Sequence, residues 1–216
     1  MRFAKFALVL ALGVCPVACG GVRGSGNVKT ESRLVSDFNK VEVSGSAKLI
    51  VAQGETESLS VTADDNLLQY VSSEVTDSKL MLGSIGVMSM SPTAPITYNL
   101  TVKRLNAIGA SGDITVEAKG IQTDSLVIAV SGSGDISISG ESPEQKIAIS
   151  GSADYKAEDF HTKDTTIAIS GSGKAVVAVS NRLDVKVSGA GDVRYVGKPE
   201  VTKEISGEGS VEALLP

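Results

Sequence analysis

Residues 126–140 read LVIAVSGSGDISISG: an alternating apolar run, a Ser-Gly-Ser-Gly-Asp step, and a second alternating run. Alternation at period two is the pattern of a strand that turns one face inward. Two glycines between two such runs mark a sharp change of direction. The same text returns as KIAISGSADYKAED (146–159), TIAISGSGKAVVAVS (166–180), LDVKVSGAGDVRYVG (183–197) and KEISGEGSVEALL (203–215), and upstream as VEVSGSAKLIVAQG (41–54) and NAIGASGDITVEAKG (106–120). With Asp113 and Asp135 aligned, the second residue of the motif falls at Ala110, Gly132, Gly151, Gly171, Gly189 and Gly207, in steps of 22, 19, 20, 18 and 18.

A period of 18–22 residues is too short for helical-pair repeats or a propeller blade and fits one coil of a β-solenoid. Leucine-rich repeats share the length, but their asparagine and leucine ladder is missing and no unit contains a helical stretch. The expectation is therefore an all-β parallel β-solenoid, with Ser150, Ser170, Ser188 and Ser206 stacked as a hydroxyl ladder. Between Val41 and Arg104 the period is looser: LSVTADD, KLMLGS and ITYNLTV read as strands without the glycine corner, DDNLLQYVS as a segment with a helical turn, and GVMSMSPTAP as a loop.

Composition agrees. Hydrophobic residues make up 42% but aromatics only 4%, with no Trp, so the core is built from thin layers of Val, Ile, Leu and Ala. A net charge of −5 with both signs interspersed provides no basic stripe for a phosphate backbone, which argues against nucleic acid as a partner.

The chain opens MRFAKFALVLALGVCPVACGG. Arg2 and Lys5 precede an apolar run that is too short to span a bilayer, followed by small residues, which is the form of a secretory signal. Both cysteines lie here. Ala18 supplies the small residue that lipidation needs before Cys19, whereas Val14 before Cys15 is poor, so Cys19 is the expected lipid anchor. Residues 1–18 are read as a lipoprotein-type signal peptide, 19–36 as a flexible polar tether, and 37–216 as a single solenoid domain. The expected location is the cell envelope, at the outer membrane facing the periplasm or the cell surface.

The segments DFNKVEVSGSAKLIVAQG (37–54) and LTVKRLNAIGASGDITV (100–116), with the recurrent SGSGD and SGAGD corners, resemble the auto-transporter adhesin head GIN domain family, whose biochemical function is unknown. The resemblance spans roughly Asp37 to the C-terminus. It implies a right-handed parallel β-helix in an envelope protein and brings no catalytic residues with it.

Enzyme motifs fail on spacing. GSGK at 171–174 would need Gly at 168 and Ser or Thr at 175 to be a P-loop, and both are Ala. GASGD at 109–113 places its second Gly one position early for a nucleophile elbow, and the chain has a single histidine. That histidine, His161, has Glu158, Asp159 and Asp164 nearby in sequence, but a solvated corner accounts for the cluster better than a metal site, so neither metal nor cofactor is expected. The remaining candidate is the corner residue after the second glycine. Asp113, Asp135, Asp154 and Asp192, with Lys174 and Ser210, would stack at about 4.8 Å, where like charges repel by roughly 0.9 kcal/mol in water. Such a column could bind a cation or a ligand.

The leading reading is a non-catalytic envelope lipoprotein, not an enzyme. It presents a β-helical surface for binding, adhesion or structural contact, with an envelope polysaccharide or protein as ligand, a membrane attachment through the N-terminal lipid, and end-to-end oligomers as a possible assembly. The alternative is a polysaccharide lyase or hydrolase that uses the aspartate column, with Lys174 as base.

Overall fold

The computed structural model describes residues 21–87 and 89–214. The repeated text forms β3 (Lys40–Gln53), β9 (Ala107–Gln122), the long bent β10 (Ser125–Gly171), β11 (Lys174–Gly189), β12 (Asp192–Val196), β13 (Glu200–Gly207) and β14 (Ser210–Ala213). These pair in parallel: β3 on β9, β9 on the start of β10, the end of β10 on β11, β11 on both β13 and β12, and β12 on β14. Glycine sets the register. Gly45 pairs with Gly112 and Gly112 with Gly132, and further on Gly171 pairs with Gly189 and Gly189 with Gly207. Gly151 joins the two runs, with its α-carbon against the Gly132 carbonyl and its own carbonyl against Gly171.

Alternation then sorts the side chains. Val41, Ile108, Ile128, Ile147, Ile167 and Val185 occupy one inward column and are at most 4% exposed. Burying each contributes about 1.5–3 kcal/mol. Gly109, Ala129, Ala148 and Ala168 follow them in sequence and point outward.

The expected right-handed parallel β-helix over 37–216 is not what the structure shows. The described residues form a mixed, 12-stranded sheet without a closed solenoid. In it β2 (Val28–Arg33) runs antiparallel to β4 (Ser58–Asp64), β4 antiparallel to β8 (Ile96–Val102), and β5 (Val71–Thr76) antiparallel to β6 (Lys79–Ser84). The reason is local. Between β5 and β6 only Asp77 and Ser78 intervene, at φ 52° and 60°, and a two-residue turn with both φ positive reverses the chain into a hairpin. The strands expected at LSVTADD, KLMLGS and ITYNLTV are β4, β6 and β8, and the helical turn is a 3-10 segment at Leu68–Tyr70. The stretch expected as a loop carries β7 (Met90–Ser91).

The stretch read as a tether carries strands too. β1 (Val22–Arg23) pairs with β7, and β2 lies along β4. An Asp64-Asp65-Asn66 latch holds this segment down. Buried Asp64 accepts hydrogen bonds from the Gly26 N–H at 2.8 Å, the Thr93 N–H at 2.8 Å and the Thr93 hydroxyl at 2.6 Å. These donors, led by the Thr93 hydroxyl, hold its carboxyl below the usual range. Asp65 accepts from the Ser25 hydroxyl at 2.6 Å and Asn27 Nδ2 at 2.7 Å, which lower it to about 2.

Candidate functional site

The corner acids divide into two sets. Asp113 pairs with Ser133, not with Asp135, because glycine stacks on glycine and Asp113 follows Gly112 directly, whereas Asp135 comes three residues after Gly132. Aligning the two acids places Ala110 opposite Gly132; the observed partner is Gly112, a step of 20 residues. Asp113 is thus removed from the column. Asp154, Lys174, Asp192 and Ser210 do pair in register as expected.

The column carries its own counter-charges. Lys156 Nζ is 2.7 Å from Asp135 Oδ1, and that bond raises the lysine's pKa, with further help from the charges of Asp154 and Glu158. The Ser210 hydroxyl donates to Asp192 at 2.7 Å, and Lys174 stands between Asp154 and Asp192. On the same face Lys48 is 2.7 Å from Glu117, whose pKa this bond lowers. An exposed run of mixed charge of this kind is partnered by its own lysines and hydroxyls.

Tyr155, beside Asp154 in sequence, is no sugar platform. Alternation turns it inward, where it is 1% exposed, and Gln145 Nε2 donates to its hydroxyl at 2.6 Å. Burial pushes the pKa of this phenol up, against the opposing effect of the Gln145 bond. Tyr98 is likewise buried and is pushed up to about 12.

His161 is exposed and lines an open polar groove of about 760 Å³ together with Arg104, Asp124, Glu141 and Lys163. Asp164 is engaged elsewhere, by Asn181 Nδ2 at 2.7 Å and by Arg182. Among the described residues no group of three or more His, Cys, Asp or Glu side chains is arranged to hold a metal ion. No contiguous motif announces the groove, because its walls come from six separated segments. Cys15 and Cys19 lie outside the described residues.

A second, shallower concavity of about 660 Å³ lies over the outward face of the repeats. Its floor is Gly109, Ala129, Ala148 and Ala168, and beside it run Ser111, Ser131, Ser150, Ser170 and Ser188. Pairing of Ser44 with Ser111, Ser111 with Ser131, Ser170 with Ser188 and Ser188 with Ser206 makes the serine ladder a feature of the sheet.

These faces define an all-β protein whose outer surfaces are built from residues repeated in register. The chain belongs to the family described as "Putative auto-transporter adhesin, head GIN domain", whose model matches residues 37–199. Its fold is also similar to solved structures. A putative adhesin from Bacteroides fragilis is 20% identical with a TM-score of 0.72, over 90% of this chain and 100% of that one. A putative lipid binding protein from Parabacteroides distasonis is 23% identical with a TM-score of 0.59, over 91% and 100%. A putative adhesin from Parabacteroides merdae is 19% identical with a TM-score of 0.56, over 90% and 99%. No curated protein matches the chain. No helix among the described residues is long and apolar enough to cross a membrane.

Proposed function

We propose that this protein is a non-catalytic cell-envelope lipoprotein that holds a rigid β surface out for adhesive contact, with Cys19 as its membrane anchor. The observation that carries the reading is the exposed face on which small residues and serines recur strand after strand in fixed register. A surface of this kind offers the same contacts at each strand spacing of about 4.8 Å, which suits a partner that is itself extended and regular. Family membership supports the reading, and so do the basic, apolar and small-residue segments ahead of Cys19.

Two measurements test it. Mass spectrometry of membrane-extracted protein is expected to find an acylated Cys19, and an unmodified N-terminus removes the anchor. Envelope polysaccharides, including uronates and glucans, are expected to bind without being cleaved, with or without Ca²⁺. Turnover of any of them would replace adhesion with the polysaccharide-active reading.

A further inference from the structure

The outward face of small residues is bounded by charges in an order that can be read along its columns. In the first column Glu42 pairs with Gly109 and Gly109 with Ala129, and at the other end Ala168 pairs with Lys186. Ala148 lies between Ala129 and Ala168, since Gly151 stacks between Gly132 and Gly171. An acid and a base therefore flank four small residues, and the column continues to Met81 beyond Glu42 and to Glu204 beyond Lys186. The neighbouring outward column, two residues earlier on each strand, runs from Lys40 through Ala107, Val127, Lys146 and Thr166 to Asp184. Its end charges are opposite in sign to those of the first. Val127 is 40% exposed, a large apolar side chain left in the open.

We infer that this face docks a second copy of the same chain. Across the six strands from β3 to β11 the charge order is antisymmetric. A two-fold axis parallel to the strands, in the interface plane and midway between Ala129 and Ala148, brings Glu42 over Lys186 of the second copy and Lys40 over its Asp184. The same operation repeats both pairs at the other end. It also lays Val127 against the aliphatic stem of Lys146 and serine ladder against serine ladder. A two-fold axis along the columns and midway between them would instead set Glu42 over Lys40 and Lys186 over Asp184 of the second copy. In that arrangement a mixture of Glu42→Lys and Lys186→Glu chains gains nothing over either variant alone.

In each copy Glu42 is already oriented by Lys79 at 2.9 Å, and Lys186 by Glu204 at 3.0 Å. The charges are exposed, so they set register more than strength. Six strands at about 4.8 Å and five residues at about 3.3 Å give a face of roughly 20 by 29 Å with its margins. Two copies thus bury on the order of 1,100 Å², the lower end of specific interfaces. A small, flat, aromatic-free contact of that size makes a reversible dimer. This goes beyond the adhesive reading, because it names a second copy as an occupant of the same face, in reversible competition with any polymer ligand.

The test is sedimentation equilibrium of the full chain in density-matched detergent. The wild type is expected to show a concentration-dependent monomer–dimer equilibrium. Glu42→Lys and Lys186→Glu should each weaken it at least about tenfold, since each sets like charges face to face at both ends. An equimolar mixture of the two variants should dimerise again. At one end of the mixed dimer the two substituted positions meet with opposite charges, and at the other end the unchanged Glu42 and Lys186 meet. This recovery also shows that both variants are folded. Three outcomes overturn the inference: a wild type that stays monomeric at millimolar concentration, a dimer indifferent to both charge reversals, or a mixture that fails to recover. Polysaccharide binding is measured separately on monomeric protein at low concentration, so its failure is distinguishable from all three.

Discussion

The carbonyl oxygen of Gly132 occupies the place where a side chain on Gly151 would begin, and Gly151 sits at φ 126°. Both conditions demand glycine, one through space and the other through backbone conformation. Gly45 separates them: its φ is 99°, yet nothing lies within 4 Å of the point where a methyl would go. Gly151→Ala is expected to cost about 2–4 kcal/mol, strain plus forced separation of two strands, and Gly45→Ala about 1 kcal/mol from strain alone. Urea denaturation midpoints measure both. Equal shifts for the two variants would show that backbone overlap contributes nothing.

The same glycines explain how far the sequence can be read. Period-two alternation and the recurring Ser-Gly step mark nearly all of the repeated strands and the inward columns. The error at Asp113 comes from aligning acids, whereas the chain aligns the residue with the strictest steric demand. The hairpin at Asp77-Ser78 carries no glycine, so its reversal is hidden and the antiparallel strands read as a looser part of the same solenoid. The Asp64 latch joins groups 38 and 29 positions apart, Gly26 and Thr93, and no local pattern announces contacts at that range.

The Gln145–Tyr155 pair is a buried polar contact with little tolerance for partial loss. Gln145 Oε1 has no hydrogen-bond partner among the described residues, so the amide depends on the Tyr155 hydroxyl. Tyr155→Phe is expected to destabilise by about 1–3 kcal/mol, because it strands the amide in the core. Tyr155→Phe combined with Gln145→Leu should recover most of that loss, since an apolar pair leaves nothing unsatisfied. A double-mutant cycle in urea decides it; additive losses would mean the two side chains act separately.

Acid should release the N-terminal segment before the repeats. Asp64 and Asp65 have folded-state pKa values lowered by their donors, so their contribution to stability is complete above the unfolded carboxyl range near 4. It is lost as pH falls through the folded values, which for Asp65 is about 2. Hydrogen exchange at β1 and β2 is expected to accelerate between about pH 4 and pH 2, while β9 and β10 amides, after correction for intrinsic rates, keep their protection. Asp64→Asn should show the accelerated exchange already at pH 7. Uniform loss of protection across all strands would indicate that the latch is not a separate unit.

The last strand pair ends the sheet with a charge where every preceding layer has a core residue. Leu183, Val185 and Val187 of β11 pair with Val201, Lys203 and Ile205 of β13, so Lys203 takes the inward position held by buried Val or Ile in the layers before it. Among the described residues no strand pairs with the outer edge of β13. An inward-pointing lysine on an edge strand opposes the addition of a further strand, because that strand would bury an unpaired ammonium. An end-to-end oligomer of the kind expected from the sequence would have to bury this side chain if it formed through β13. Lys203→Ile is expected to change urea stability by less than about 1 kcal/mol, since the site is exposed, and to produce concentration-dependent species larger than a dimer in sedimentation velocity. Lys203→Arg, which keeps the charge, should sediment as the wild type does. If Lys203→Ile grows no larger than wild type at matched concentration, some other feature of β13 and β14 closes this edge.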